Sequence, residues 1–312
     1  MQIFSLAFLI SVLSMMFRMA VPLIFGTIGE AFAERSGILN LGIEGMMLMG
    51  ASIGFLAGLK TGNLWFGIMA AALMGLTLGL MMAFFTVTLG AQQHVAGIGM
   101  TIFGSGTAFY IYRLNVETPG GIPPTVEPFK VLEIPLLKNI PVIGPILFRQ
   151  YALVYLALLL VVVTWFVFYK TTLGLKIRAV GENAKAADTA GINVFVVRYL
   201  CLAIAGMLTA IGGAWLTLAQ TGMFLPYITA GRGWVCIALV VFGFWDPLRI
   251  LLGSLLFGFI DAFQLSLQAI GFRIPYHLFL MMPYLFTIVA LVFVARRAIY
   301  PAELLKPYKR EA

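Results

Sequence analysis

Along most of this chain the apolar positions do not alternate with polar ones; they run together for about 20 residues at a time, separated by short polar loops. A helix of that length crosses a hydrocarbon core of about 30 Å and closes its backbone hydrogen bonds within itself. The pattern predicts nine such helices. The first, 3–33, is interrupted by Arg18 and Pro22 and reads as either one helix or two. The others span 43–59, 64–89, 95–112, 151–169, 196–219, 233–244, 248–270 and 277–294, and the run from Gly233 is the shortest. The expected fold is all-α, a polytopic membrane bundle in which residues 1–312 form one transmembrane domain.

The loops carry the remaining information. Residues 113–150 hold Pro119, Pro123, Pro124, Pro128, Pro135, Pro141 and Pro145, which exclude a long helix. A cap with a short apolar element near 134–140 is expected there. Basic residues gather in two places: Lys170, Lys176, Arg178, Lys185 and Arg198 in one loop, and Arg296, Arg297, Lys306, Lys309 and Arg310 in the tail. Lys and Arg concentrate on the cytoplasmic side of membrane proteins. The 170–195 loop and the 295–312 tail are therefore expected inside, the 113–150 connection outside, and Met1 outside if the first run is one helix. Four helices separate the two basic segments, so their assignments agree.

Composition narrows the class. Apolar residues make up 62% of the chain and charged ones 10%, and the mean hydropathy is +1.02, outside the range of soluble domains. The net charge of +8 lies in short loops beside apolar runs, which points to orientation in anionic lipid and not to nucleic acid. Cys201 and Cys236 both fall inside apolar runs with no Cys or His at ligand spacing. Neither a disulfide framework nor a metal site is expected. No basic segment precedes the first run, so it is expected to stay as a membrane helix. The chain lacks G-x-x-x-x-G-K-[ST] and any convincing Cys-His or Ser-His-Asp set, which excludes a nucleotide-hydrolysing or acyl-transfer enzyme.

Within the spans, Gly50, Gly54 and Gly58 repeat every four residues, as do Gly75 and Gly79. Such stripes let helix backbones approach closely in lipid. Three polar sets are candidates for a solute path. Asp261, Gln264 and Gln268 share one helix face, which fits either a path lining or interhelical hydrogen bonding. Gln92, Gln93 and His94 lie between two helices, as neutral groups suited to an uncharged solute or as a plain interfacial turn. Asn40 and Glu44 lie in ERSGILNLGIEGMM, whose glycines suggest an irregular re-entry into the membrane; Glu44 also suits the positive end of its own helix.

The segment 170–198, KTTLGLKIRAVGENAKAADTAGINVFVVR, sits between two of the most apolar runs. Leu175, Ile177 and Val180 form an apolar edge. Asn183 can cap a short helix over 184–190 that Gly191 ends. Charge alone would suit lipid head groups, but the small residues Ala184, Ala186, Ala187 and Ala190 leave a smooth surface for a protein partner.

AVGENAKAADTAGI resembles the cytoplasmic coupling segment of ATP-binding cassette (ABC) import permeases of the branched-chain amino acid and simple sugar type. ERSGILNLGIEGMMLMGA, GAQQHVAGIGM, IPVIGPILFRQ, TAGRGWVCIALVVFGFWDP, FGFIDAFQLSLQ and IPYHLFLMMPYL resemble the subgroup associated with nucleoside uptake, in order along nearly the whole chain. The resemblance implies a type II-like importer permease in the bacterial plasma membrane, without an ATPase site or cofactor of its own. ATP and Mg would belong to a cytoplasmic ATP-binding subunit. The other implied partners are a second, usually different permease and an extracytoplasmic substrate-binding lipoprotein. Gly181, Glu182, Asn183, Ala187 and Gly191 then fall in the helix that docks on the ATPase. The absence of a charged cluster along the path favours a neutral solute, nucleosides first and simple sugars or branched-chain amino acids next. The rival class is a secondary transporter working without ATP, for which Asp261 is the clear acidic candidate.

Overall fold

The computed structural model describes residues 5–116, 123–135, 137–270, 281–282, 285, 288–289, 292 and 299–310. Seven helices among these are long and apolar enough to cross a membrane. α1 (Leu6–Arg35) is one continuous helix that passes through Pro22, which resolves the one-or-two alternative. At 30 residues it measures about 45 Å, longer than the hydrocarbon core is thick. α2 (Ile43–Thr61), α3 (Leu64–Ala83) and α4 (Gln93–Asn115) follow, and a π turn over Phe84–Thr88 extends α3. After the cap come α6 (Ala152–Lys170), α9 (Val194–Trp215, extended by a π turn over Leu216–Thr221) and α11 (Pro247–Ala269). Of the expected helix 277–294, only Met281, Met282, Leu285, Ile288, Val289 and Val292 are described, all helical; the rest, His277 included, lies outside the described residues.

The glycine stripes explain the packing. On α9, Gly206 lies against the backbone of Gly75 and Gly79, and Gly213 against the carbonyl of Met47. Gly50 meets Ala210, and Gly54 meets the methyl of Ala214. Both predicted stripes thus face α9, which sits at the centre of the bundle between α1, α2 and α3. α4 lies at the periphery and leaves Val95, Ile98, Ile102 and Phe103 exposed.

The 113–150 connection is built differently from the expected element at 134–140. Among the described residues a 3-10 turn, Leu137–Asn139, falls there, and an α-helix, α5 (Ile143–Leu147), lies just beyond it. β1 (Leu132–Glu133) pairs antiparallel with β2 (Arg149–Gln150) to close the hairpin. Arg18, inside α1, donates from Nε to Gln150 Oε1 at 3.0 Å and stacks its guanidinium 4.8 Å over Tyr151. A charge within the first apolar run is therefore matched to the cap. Val126 and Phe129 donate to Gly222 and Leu218 at the end of α9, which fixes the cap to the bundle.

Candidate functional site

Two places gather polar residues: a junction of broken helices inside the bundle, and the segment between α6 and α9.

The junction starts where α1 ends. Gly37 turns the chain with φ +93, a conformation that favours glycine. The chain then runs back along α1: Asn40 N donates to Glu30 Oε1 at 2.8 Å, five residues before the helix end and so about 7 Å up the axis. Segment 36–42 thus folds back into the bundle, with Asn40 fully buried. Gln93 braces it, accepting from Leu39 N at 2.8 Å and donating to Gly37 O at 3.3 Å. Asn40 Oδ1 accepts from Gly42 N at 3.0 Å just before α2 begins. From the other end of the bundle, residues 222–231 descend to α10 (Arg232–Phe242), whose 11 residues are too few to cross a membrane.

The N-terminus of α10 lies inside the bundle, where water is scarce and its first N–H groups need partners. Glu44, in the first turn of α2, supplies them. Its Oε2 accepts from Gly233 N at 2.7 Å, and its Oε1 accepts from Gly231 N at 3.0 Å and from the Thr229 hydroxyl. Glu44 stands in the first turn of α2 but makes no side-chain cap bond there; its oxygens serve the start of α10. Hydrogen bonds to a charged group contribute about 1.5–3 kcal/mol each, so this carboxylate anchors the descending loop to the re-entrant one.

Arg232 then faces Asp261 of α11 with Nη2 to Oδ2 at 3.5 Å, both side chains largely buried. Asp261 stands 14 residues along α11, about 21 Å from its start. The rest of its stripe is divided: Gln264 is buried, and Gln268 Nε2 is buried with no hydrogen-bond partner among the described residues. Asn40, Glu44 and Gln93 therefore belong to one assembly. Gln92 and His94 are exposed beside it.

Sequence reading overlooked part of this assembly. Glu30 and Glu34 are fully buried within α1, and each has one oxygen engaged: Glu30 by Asn40 N, Glu34 by Trp245 Nε1 at 2.7 Å. Their other oxygens, with Thr27 Oγ1, have no partner among the described residues. The signal was available, since Thr27, Glu30 and Glu34 repeat at i, i+3 and i+7 on one helix face. Arg198, counted above as a loop charge, is also buried; it donates to Ser36 O at 3.1 Å and Lys306 O at 3.3 Å.

In the second place, α7 (Thr172–Glu182) and α8 (Ala184–Thr189) meet at Asn183, whose Oδ1 accepts from Ala186 N at 2.9 Å. Gly191, at φ +82, turns the chain toward α9. The expected cap, short helix and glycine stop are all present. Ile177 and Val180 are buried, whereas Leu175 is exposed and does not join their edge. Gly181 and Ala187 are buried; a Cβ on Gly181 would strike the carbonyl of Arg35. These two seat the segment on the bundle, and Glu182, Asn183, Ala186, Ala190 and Gly191 face outward. The tail lies across the same end: Glu303 N donates to Gly181 O at 2.8 Å, Arg310 pairs with Asp188 at 3.0 Å, and Tyr308 packs edge-on against Phe195. The 170–198 segment and the described part of the tail, 299–310, thus share one end of the bundle; Arg296 and Arg297 lie outside the described residues.

Comparison with known proteins follows the same outline. Residues 12–293 match the family described as the branched-chain amino acid transport system permease component. The nucleoside ABC transporter permease protein NupC of Lactococcus lactis is 37% identical over 90% of this chain and 90% of its own. The guanosine ABC transporter permease protein NupQ of Bacillus subtilis is 34% identical over 93% of each. The putative glucose ABC transporter permease protein TsgC13 of Haloferax volcanii is 37% identical over 85% of this chain and 80% of its own. No solved structure matches.

Proposed function

The chain belongs to the permease family of branched-chain amino acid transport systems, and from that premise we propose that it is one of two permease subunits of an ABC importer for nucleosides. The observation that carries the solute is the similarity, over nine-tenths of both chains, to a permease named for nucleosides, together with the like match to one named for guanosine. Relatives named NupP and NupB match at lower identity; names in pairs favour a second, different permease as the partner.

In this reading the importer sits in the bacterial plasma membrane with the tail and α7–α8 in the cytoplasm. Hydrolysis belongs to a separate ATP-binding subunit, which holds ATP and Mg, and an extracytoplasmic binding lipoprotein delivers the solute. The face formed by Glu182, Asn183 and Gly191 contacts the ATPase. Gly181 and Ala187 seat that face, so that ATPase movement reaches α1 and, through Arg198, the re-entrant segment 36–42. The broken-helix junction of Asn40, Glu44, Gln93, Asp261, Gln264 and Gln268 is the part that opens. Interrupted helices meeting inside a membrane protein are where transport paths are typically built, and here the helix end is already satisfied by Glu44, which suits a solute without charge. Gln92 and His94 flank this path. Contact with lipid is by the exposed apolar faces, and nucleic acid has no role.

The match to a putative glucose permease favours simple sugars as the second reading. Cells expressing the complete system separate the two: uptake of labelled uridine, adenosine or guanosine that glucose does not compete supports nucleosides. Uptake of labelled glucose alone overturns that choice.

A further inference from the structure

On the hairpin side of the broken-helix junction, α4 and the descending loop enclose an open cavity of about 540 Å3, within the 300–1,000 Å3 range of small-molecule sites. Five of its lining side chains are aromatic: Phe109, Tyr110 and Tyr112 from α4, and Phe224 and Tyr227 from the loop. Among the described residues, Arg113 is the one charged residue on its wall, and no carboxylate lines it.

The rings form a connected set. Phe109 meets Phe224 and Tyr227 edge-on at 5.8 and 5.6 Å, and Tyr112 tilts against Phe224 at 4.7 Å. Tyr227 and Tyr110 remain 77% and 65% exposed, so ring surface is left over for an incoming group. Tyr112 Oη is buried with no hydrogen-bond partner among the described residues. The backbone at Tyr227 has φ +58, a region that non-glycine residues rarely adopt and that is over-represented at ligand clamps. It is held there from both sides. Ala230 N donates to Tyr227 O at 2.8 Å, and Thr229, two residues on, is bonded to Glu44.

Resting on the nucleoside reading above, we propose that this cavity is a recognition site for the nucleobase, which stacks against the Tyr227 and Phe109 rings just before the solute reaches the junction. A planar heterocycle lays its whole face on an aromatic wall, whereas a puckered hexose meets it only through its C–H groups. The cavity therefore selects nucleosides over sugars on the permease itself, and its tie through Thr229 to Glu44 places occupancy next to the element that opens.

The test uses the complete importer, with the second permease, ATP-binding subunit and binding lipoprotein, measuring both labelled adenosine binding in detergent and uptake into proteoliposomes. Binding is read without the lipoprotein. Loss of one ring from a base stack corresponds to a change of about fivefold to a hundredfold in affinity. Tyr227→Ala and Phe109→Leu are expected to weaken adenosine binding and raise the KM for uptake within that range. Tyr227→Phe keeps both near wild type, and Leu159→Ala, on an exposed face of α6, controls for truncating a surface side chain. Adenosine binding and uptake unchanged in Tyr227→Ala overturn the cavity assignment while leaving the transported solute intact. Wild-type complex that binds adenosine in a Tyr227-dependent way but takes none up overturns the transport reading and keeps the cavity. Loss of the second permease on purification of Tyr227→Ala assigns the rings to the subunit interface, against the proposal.

Discussion

Replacing Glu44 with Gln changes one atom and removes one charge, and the geometry dictates what fails. With its oxygen on Thr229 and Gly231, the Gln amide directs its NH2 at Gly233 N, where the carboxylate now accepts at 2.7 Å. Turned the other way, the amide faces Gly231 N, which now donates at 3.0 Å. Either orientation strands one buried backbone N–H, costing about 1–3 kcal/mol. Loss of the negative charge at the α10 N-terminus adds about 0.3–2 kcal/mol. Together the two terms come to about 1.3–5 kcal/mol. At the 2–4 °C per kcal/mol typical of domains of 150–250 residues, the melting temperature should fall by about 3–20 °C. The chain carries its own reporters, because Cys201 and Cys236 are both free and buried. Cys236 lies on α10 with its Sγ directed at Leu23 O, 3.7 Å away, whereas Cys201 lies on α9. A thiol-reactive dye followed during heating, in Cys201→Ser and Cys236→Ser backgrounds, reports the two helices separately. Glu44→Gln should expose Cys236 at lower temperature than Cys201. Labelling of both at the wild-type temperature refutes the argument that Glu44 holds the junction.

Three further outcomes follow from named contacts. Asn183→Ala removes the cap of α8 and should destabilise that helix by about 1 kcal/mol, seen as faster amide exchange over 184–189 with the spans unchanged. Gly75→Leu places a side chain against the backbone of Gly206, which already meets Gly75 without a gap; folded, monodisperse protein should be lost in size-exclusion chromatography. Arg198→Ala leaves the carbonyls of Ser36 and Lys306 without their donor, at about 1–3 kcal/mol. The tail should then be cleaved by trypsin at Lys309 sooner than in the wild type.

Element identity was legible because period and length decide it in lipid. The runs predicted at 43–59 and 64–89 emerge as α2 (Ile43–Thr61) and as α3 with its π turn, ending at Thr88, and the glycine stripes identified the faces that pack. The α8 region was readable at single-residue level because capping and glycine termination are local, and Asn183 and Gly191 each act within a few residues. Interactions across the fold were not readable. Glu44 bonds to residues 185 to 189 positions away, and Trp245 bonds to Glu34 across 211; no periodicity encodes such a pairing. Glu30 and Glu34 were hidden by their position near a predicted helix end, where a carboxylate is ordinarily taken as an interfacial group. Leu175 failed as part of the apolar edge because α7 turns Gly174, Ile177, Val180 and Gly181 inward, a narrower stripe than composition suggested.

The central claim, that this chain moves solute only when its outward α7–α8 face is driven by an ATPase, is tested by accumulation of labelled nucleoside in proteoliposomes holding the complete importer. The wild type should accumulate nucleoside when ATP is supplied on the α7–α8 side. Glu182→Arg combined with Asn183→Ala should abolish accumulation while every spanning helix stays folded. Accumulation that persists in the double variant, or that an ion gradient drives without ATP, contradicts the account.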